Sequence, residues 1–465
     1  MEFQKIHLIG ICGTGMGSLA ILLQESGCSV RGSDRGVYPP MSALLQKKKI
    51  PILEGYRKEN LDWGPEMVVV GNVVSRSNPE ARAVLDRGLP YKSFPQTLAE
   101  YFLRDRHGIV VAGTHGKTST SSLLAWILHH GGAAPGYLIG GVPINFGVSA
   151  RKGKGELFVL EGDEYETAFF DKSPKLWHYH PRTAILTSVE FDHAEMFRDL
   201  DQVKAAFRKF LRGLPRQGVL LACGDDPGAL ELSREAPCAV ETYGIGKDCQ
   251  WRGEQVEEDI SGMTIQVFHE NRPFITVWSP LSGRQNLRNL LATIAVAQRV
   301  GIPKPLLVEA VSLFQGIARR QQVLGEPNGI TIIDDFAHHP TAVRDTLDGL
   351  RSRYSGRRLW AVFEPRTNTS RRRVFQDAYA RSFGGVDRVI IAPVHQPDRA
   401  PPGDRLSPGR LVRDLKARKI DARCFSGEEE ILKHLKKSCK QGDVVIFLSN
   451  GSFGGIQGKL LERLT

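Results

Sequence analysis

The segment Ile109-Val-Val-Ala-Gly113-Thr-His-Gly116-Lys117-Thr118-Ser119-Thr120 constrains this chain more than any other. An apolar run meets a glycine turn, and Lys-Thr opens a helical pattern that continues to His130 and stops at Gly131-Gly132. Strand, loop and helix in this order form a phosphate cradle. Loop N–H groups and the positive helix end face the anion, the lysine reaches the outer phosphates, and the threonine hydroxyl is a ligand for Mg²⁺. The loop is a variant, because Val111 stands where the strict eight-residue pattern has its first glycine and Gly113 takes that part. Gly113, Thr114, His115, Gly116, Lys117, Thr118 and Ser119 are therefore the expected ATP contacts.

A second glycine turn, with Gly10, Gly13 and Gly15, follows the strand pattern of residues 5–10 and precedes a helix at Ser18 to Glu25 and a strand at Cys28 to Gly32. Asp34 comes 24 residues after Gly10. The spacing is that of a dinucleotide site, but the register departs from the strict fingerprint. An oxidoreductase would leave the loop at 113–120 idle, so a diphosphate-bearing substrate is the better occupant. The α/β alternation continues through a strand at Met67 to Gly71 and helices at Pro79 to Arg87 and Gln96 to Phe102, and breaks at Arg104 to His107. It restarts with strands at Gly108 to Ala112, Leu157 to Glu161 and Thr183 to Val189, and with helices near Gln202 to Leu211 and Asn286 to Val300. A third run has strands at Gly329 to Ile333, Arg358 to Phe363, Arg388 to Ala392 and Asp443 to Leu448, with a helix at Thr341 to Arg351. Three consecutive α/β units are expected, over 1–107, 108–322 and 323–465.

The 62 Lys and Arg against 51 Asp and Glu give a net charge of +11. The basic runs are scattered and lack interleaved aromatics, which suits phosphates and carboxylates better than nucleic acid. No run of about 18 apolar residues exists, and the first residues lead into a strand pattern rather than a signal-peptide core, so neither a membrane span nor export is expected and the cytoplasm is the expected compartment. Seven cysteines without a Cys-x-x-Cys pair read as reduced thiols.

Acidic groups follow two of the strands. Glu161-Gly-Asp163-Glu164-Tyr-Glu166 ends one, and Glu190-Phe-Asp192-His193 the next. Carboxylates at strand ends beside a phosphate loop are placed to hold Mg²⁺, and Thr118, Glu161 and His193 are the expected ligands. Asn286 and Asn289 stand three residues apart at a helix start, one to read an adenine edge while the other caps the helix. In the third unit, Asp334-Asp335-Phe-Ala-His338-His339-Pro340 and Glu364-Pro-Arg366-Thr-Asn368-Thr-Ser370-Arg371 leave apolar strands as anion sites, suited to carboxylates gripped by arginine.

Taken in order, these elements with Arg319-Arg320 resemble the Mur ligase family, ATP-dependent amide ligases of peptidoglycan metabolism, over essentially the whole chain. The resemblance implies a Rossmann-like UDP-sugar unit using Gly10, Gly13, Gly15, Asp34 and Asn72, and a central ATPase whose nucleotide contacts extend to Asn289, Arg320 and Asp335. It also implies a C-terminal Rossmann-like unit that closes over ATP and the incoming amine, with Arg366, Asn368 and Arg371 on the peptide. Gly71 to Glu80, Glu161 to Phe170, the insert Asp171 to His180 and Ser449 to Gly455 resemble the branch that joins UDP-N-acetylmuramate to the recycled murein tripeptide L-alanyl-γ-D-glutamyl-meso-diaminopimelate. The branch that adds L-alanine differs at 161–166 and 365–370 and is the alternative. Arg208 falls where some members carry a carbamylated lysine, so no carbamate is expected. The implied chemistry runs through an acyl phosphate, with Lys117, Glu161 and His193 as the catalytic set and ATP and Mg²⁺ as cofactors. The expected partners are these small molecules, with neither nucleic acid nor membrane, and a monomer is favoured.

Overall fold

A computed structural model describes residues 3–38 and 41–465; Met1, Glu2, Pro39 and Pro40 lie outside that description. The apolar run Lys5–Ile9 forms the central strand of a five-stranded parallel sheet, between Ser29–Asp34 and Met67–Val70, with Ile52–Glu54 and Tyr91–Ser93 outermost. Strand order reverses at this central strand, which is where open α/β sheets leave a crevice for a ligand. The glycine turn sits there. The helix after it, Thr14–Glu25, starts before the expected Ser18 because Gly15 and Gly17 belong to its first turns. A Cβ on Gly17 would come within 2.3 Å of the Met41 sulfur, so glycine lets the two helices approach.

The central sheet has ten strands. His107–Ala112, fully buried from Ile109 onward, runs parallel between Leu157–Gly162 and Thr183–Leu186, with Val111 opposite both Glu161 and Ile185. This register brings Gly113, Glu161 and Thr187 out at the same sheet edge. The helix after the phosphate loop spans Lys117–His130, beginning at the lysine itself rather than at Ser121, and packs beside Arg284–Arg299. Ala239–Gly244 continues the parallel part, and Trp251–Glu258, Met263–His269 and Arg272–Ser279 extend it as an antiparallel meander. These four strands escape the sequence reading. Met263–His269 does carry a period of two, with Met263, Ile265 and Val267 buried between Thr264 and Gln266, whereas Trp251–Glu258 ends in the exposed run Glu254 to Glu257.

The third sheet has six strands: Gln322–Gly325 lies antiparallel to Thr331–Asp335, followed by Val444–Leu448, Leu359–Phe363, Arg388–Ile391 and Asp421–Cys424 in parallel. Alternate residues of its strands face opposite layers. Ala361, Phe363 and Ile391 pack with Val343, Leu347 and Leu411, while Trp360, Val362 and Ile390 pack with Ile431, Leu435 and Leu460. The helices Lys304–Ser312, Pro408–Ala417, Glu428–Ser438 and Ile456–Leu464 escape the sequence reading. The expected strand from Gly329 begins at Thr331 because Asn328 and Gly329 take positive φ in a turn. The expected helix Gln96 to Phe102 is a short helix, Phe94–Leu98, followed by a π-turn, Ala99–Leu103. All seven cysteines are free thiols. Among the described residues no helix is long and apolar enough to cross a membrane.

Candidate active site

The phosphate loop is held from beneath by the strand end at 187–190. Thr187 Oγ1 donates to the His115 carbonyl at 2.5 Å, Ser188 O accepts from Thr114 N, and the Thr114 hydroxyl bridges the Glu190 backbone. Gly116 has φ +81°, and a Cβ there would lie 2.8 Å from Asn289 Oδ1, so both conformation and space require glycine. Lys117 Nζ folds back onto Gly113 O at 2.7 Å and Glu164 Oε2 at 2.8 Å. Burial opposes its charge, but Glu164 and Asp163 more than restore it, so the ammonium titrates above its usual range. Burial would likewise raise Glu164, yet Lys117 and then His193 hold it down to about 2. The loop thus presents a permanent cation.

Glu161 lies inside this ring. Gly140 N donates to it at 2.6 Å, and the Thr118 hydroxyl at 3.2 Å. Burial, and then Asp163, pushes its carboxyl up, and a cation placed beside it would favour the charged form. Arg320, just before the first strand of the third sheet, lies 3.4 Å from the Thr118 hydroxyl, with its guanidinium above the Phe336 ring. Asp335 anchors this crossing, accepting from Gln321 N and Ala337 N at 2.7 Å each. His193 is placed differently from Thr118 and Glu161. Its ring nitrogens face Glu164 at 3.5 Å and Glu195 at 3.6 Å. Burial works against the charge, but the two carboxylates raise its pKa to about 10, so the ring is an imidazolium that must lose a proton before it can ligate a metal. Its backbone is left-handed, φ +53°, with Asp192 Oδ1 accepting from its N–H. Non-glycine residues hold such a conformation where the surroundings impose it.

The helix-start amides correct the sequence reading. Gly283, at φ +90°, is the N-cap of Arg284–Arg299, and neither Asn286 nor Asn289 caps it. Asn286 donates to Ser282 O, one turn back. Asn289 is buried, and its carbonyl oxygen accepts from Thr120 and Gln285 beneath the loop. Ser119, in the first turn of the Lys117–His130 helix, is half-buried.

In the first unit, the Asp34 carboxylate accepts from Cys12 N and Gly36 N at 2.9 Å each, so it braces the Gly10–Gly15 turn. A cleft of about 200 Å³ is lined by Arg35, Tyr56, Val74, Ser75 and Asn78, and Val74 and Tyr56 are also what a Cβ on Gly10 would meet; Asn72 is exposed and is not part of this lining. In the third unit, Arg366, Asn368 and Arg371 come together. Arg371 is 4% exposed, donating to His395 O at 2.6 Å and Asn368 Oδ1 at 2.9 Å, so its guanidinium is already engaged within the unit. Arg366 is less committed, with Glu364 at 3.4 Å. This loop abuts the 192–195 turn, since Arg372 donates to Ala194 O and Ala194 N to the Thr369 hydroxyl. Arg208 pairs with Glu235 on the surface at 2.7 Å, away from the ring.

Sequence reasoning missed a clasp between the central and third units. Glu190 Oε2 accepts from Thr341 Oγ1 at 2.6 Å and lies 3.2 Å from His115 Nε2 and 3.6 Å from His339 Nδ1, with the two imidazole centroids 4.4 Å apart. The ligand atoms of His115, Glu190 and His339 fall within 4.8 Å of one another, which is metal-like spacing. However, His339 Nε2 faces Phe191 O and Nδ1 accepts from Thr341 N, so the cluster is already satisfied by hydrogen bonds. Burial depresses the His339 pKa to about 3, and Glu190 is held near 2 by His115 and Thr341 against burial. The residues were visible in the glycine-loop, Val-Glu-Phe-Asp-His and His-His-Pro segments, but nothing in the sequence pairs them.

Three family models cover the chain in succession: the Mur ligase family catalytic domain over residues 5–106, the Mur ligase middle domain over 111–297, and the Mur ligase glutamate ligase domain over 319–451. A relative from Escherichia coli K12, UDP-N-acetylmuramate–L-alanyl-γ-D-glutamyl-meso-2,6-diaminoheptandioate ligase, is 40% identical over 99% of this chain and 98% of its own. A UDP-N-acetylmuramate–L-alanine ligase from Aromatoleum aromaticum is 34% identical over 99% and 98%. The crystal structure of a murein peptide ligase from Psychrobacter arcticus superposes with a TM-score of 0.74 at 37% identity, over 99% of this chain and 98% of that one. With a phosphate loop, an acidic ring and an arginine crossing on three matched α/β units, the chain belongs to the Mur ligase family.

Proposed function

We propose that this chain is an ATP-dependent ligase that joins the lactyl carboxylate of UDP-N-acetylmuramate to the amine of L-alanyl-γ-D-glutamyl-meso-diaminopimelate, in peptidoglycan recycling. The observation that carries the reading is the full-length likeness to a tripeptide ligase, which exceeds that to the L-alanine ligase. The sugar nucleotide would lie in the cleft at Gly10, and ATP in the loop at Gly113 to Ser119. The oxygen donors of Thr118 and Glu161, with His193 once deprotonated, suit Mg²⁺, which when bound neutralises charge on the phosphates.

Lys117 exchanges its present partners, Gly113 O and Glu164, for the phosphates, while loop N–H groups receive the phosphate oxygens. Arg320 neutralises charge from the other side. A carboxylate oxygen of the sugar bonds to the γ-phosphorus as the bridging bond breaks and ADP leaves with the electron pair. The peptide amine then bonds to the acyl carbon, loses a proton and expels phosphate. The chain's share is positioning and charge neutralisation. Arg366, and the Asn368 amide that Arg371 holds in place, offer cationic and amide donors to peptide carboxylates that free L-alanine lacks. The test is phosphate release from ATP in the presence of UDP-N-acetylmuramate, with tripeptide and L-alanine offered in parallel. Turnover with tripeptide alone supports the reading, and comparable use of L-alanine returns the alternative.

A further inference from the structure

The insert Asp171–His180 supplies one strand of a hairpin in which Asp171–Pro174 pairs with Glu166–Ala168. Phe169 and Phe170 at its tip pack on the first unit's core, Phe170 edge-on to Tyr91 at 4.9 Å. The chain then folds back against the acidic loop: Lys175 N donates to Tyr165 O and Leu176 N to Asp163 O, both at 3.1 Å. This turns the Lys175 side chain inward, leaving the residue 7% exposed. Its ammonium lies 3.7 Å from Asp163 Oδ2, 4.1 Å from the Tyr165 ring centroid and 5.2 Å from that of Phe94.

The two sides of this ammonium are unlike. Phe94 lies against the first glycine turn, where a Cβ on Gly15 would meet its ring at 3.3 Å. Asp163 adjoins Glu164, which holds Lys117 of the phosphate loop. Lys175 therefore sits in the contacts that link the sugar-nucleotide turn to the ATP loop, the interval an acceptor carboxylate must cross. An ammonium has three donors, and one carboxylate at 3.7 Å with two ring faces is a poor exchange for water. Burial pushes its pKa down, and Asp163 restores only part of that loss.

We propose that Lys175 receives the carboxylate of the acceptor sugar nucleotide and presents it to the γ-phosphate held by Lys117, an inference that rests on the function proposed above. Lys175 donates hydrogen bonds to the carboxylate and transfers no proton. The carboxylate oxygen forms the new bond to phosphorus, and ADP departs with the electrons of the broken one.

The experiment compares binding of UDP-N-acetylmuramate with that of UDP-N-acetylglucosamine, which lacks the lactyl carboxylate, by calorimetry on the intact chain and on Lys175→Met, Lys175→Gln and Lys175→Arg. The intact chain should favour the carboxylate-bearing sugar by about tenfold or more, the scale of a charge-assisted hydrogen bond. That ratio should collapse towards one in Lys175→Met and Lys175→Gln and persist in Lys175→Arg. A purely structural ion pair with Asp163 would weaken both sugars together and keep the ratio, which overturns the proposal. A ratio near one in the intact chain overturns it as well. Failure of the intact chain to bind either sugar refutes the proposed function instead. Lys175→Gln keeps a polar head on the stem and provides the measurement should Lys175→Met not fold.

Discussion

At the scale of single residues, Glu161 and His193 are in different states. Glu161 is a buried carboxylate whose charge is disfavoured, with one backbone N–H and two hydroxyls, those of Thr118 and Ser121, as partners; His193 is an imidazolium between Glu164 and Glu195. Glu161→Ala and His193→Ala are each expected to lower turnover by about two orders of magnitude or more, the usual cost of losing charge stabilisation at such a site. Initial rates across a Mg²⁺ titration check this, and near-normal turnover at low Mg²⁺ would remove the ligand role from that residue. For the peptide, the better probe is Arg366 rather than Arg371, whose guanidinium is buried on the His395 carbonyl and Asn368. Arg366→Ala should raise the Michaelis constant for tripeptide about tenfold or more, since an arginine–carboxylate pair contributes on the order of 1.5–3 kcal/mol. The constant for ATP should barely move, and a parallel rise in both would refute the assignment.

Between elements, the clasp of Glu190 with His115, His339 and Thr341 ties the phosphate loop to the first turn of Pro340–Arg353, where His339 is the N-cap. Its pH dependence has a definite sign. Glu190 is lowered from 4.5 to about 2, so its contribution is full above pH 4.5 and is lost as pH falls towards 2. His339 is lowered from 6.5 to about 3, so the unfolded chain takes up a proton there first, and stability falls as pH drops through that window. Glu190→Gln should therefore melt below the intact chain at neutral pH, and the gap should narrow below pH 4.5. Thermal scans from pH 7 to pH 3 decide it, and a gap that widened in acid would reverse the assignment. The clasp was not legible in the sequence because its members are held together only by packing of separate units; Glu190 and Thr341 are 151 residues apart.

For the whole molecule, the two glycine turns stand on separate sheets, and this separation is testable. Lys117→Ala should abolish ATP-dependent ligation and the thermal stabilisation that ATP confers, while UDP-N-acetylmuramate still raises the melting temperature, because a ligand whose own site is intact still binds and stabilises the folded chain. Loss of both shifts would place the sugar site on the phosphate loop. The sequence by itself determined the strand–glycine–helix turns at 10–17 and 113–120, the acidic strand ends and the three α/β runs, because each is a local pattern of apolar period and backbone freedom. It also carried the arginines of the third unit. Only the tertiary structure decided that Glu164 rather than Glu161 holds Lys117, that Asn289 is turned to Thr120, that Arg371 is buried, and that the insert carries Lys175 inward. Those outcomes depend on which strands become neighbours. The pairing of Val111 with Glu161 and the lodging of Phe169 and Phe170 on another unit's core set positions that no local period encodes.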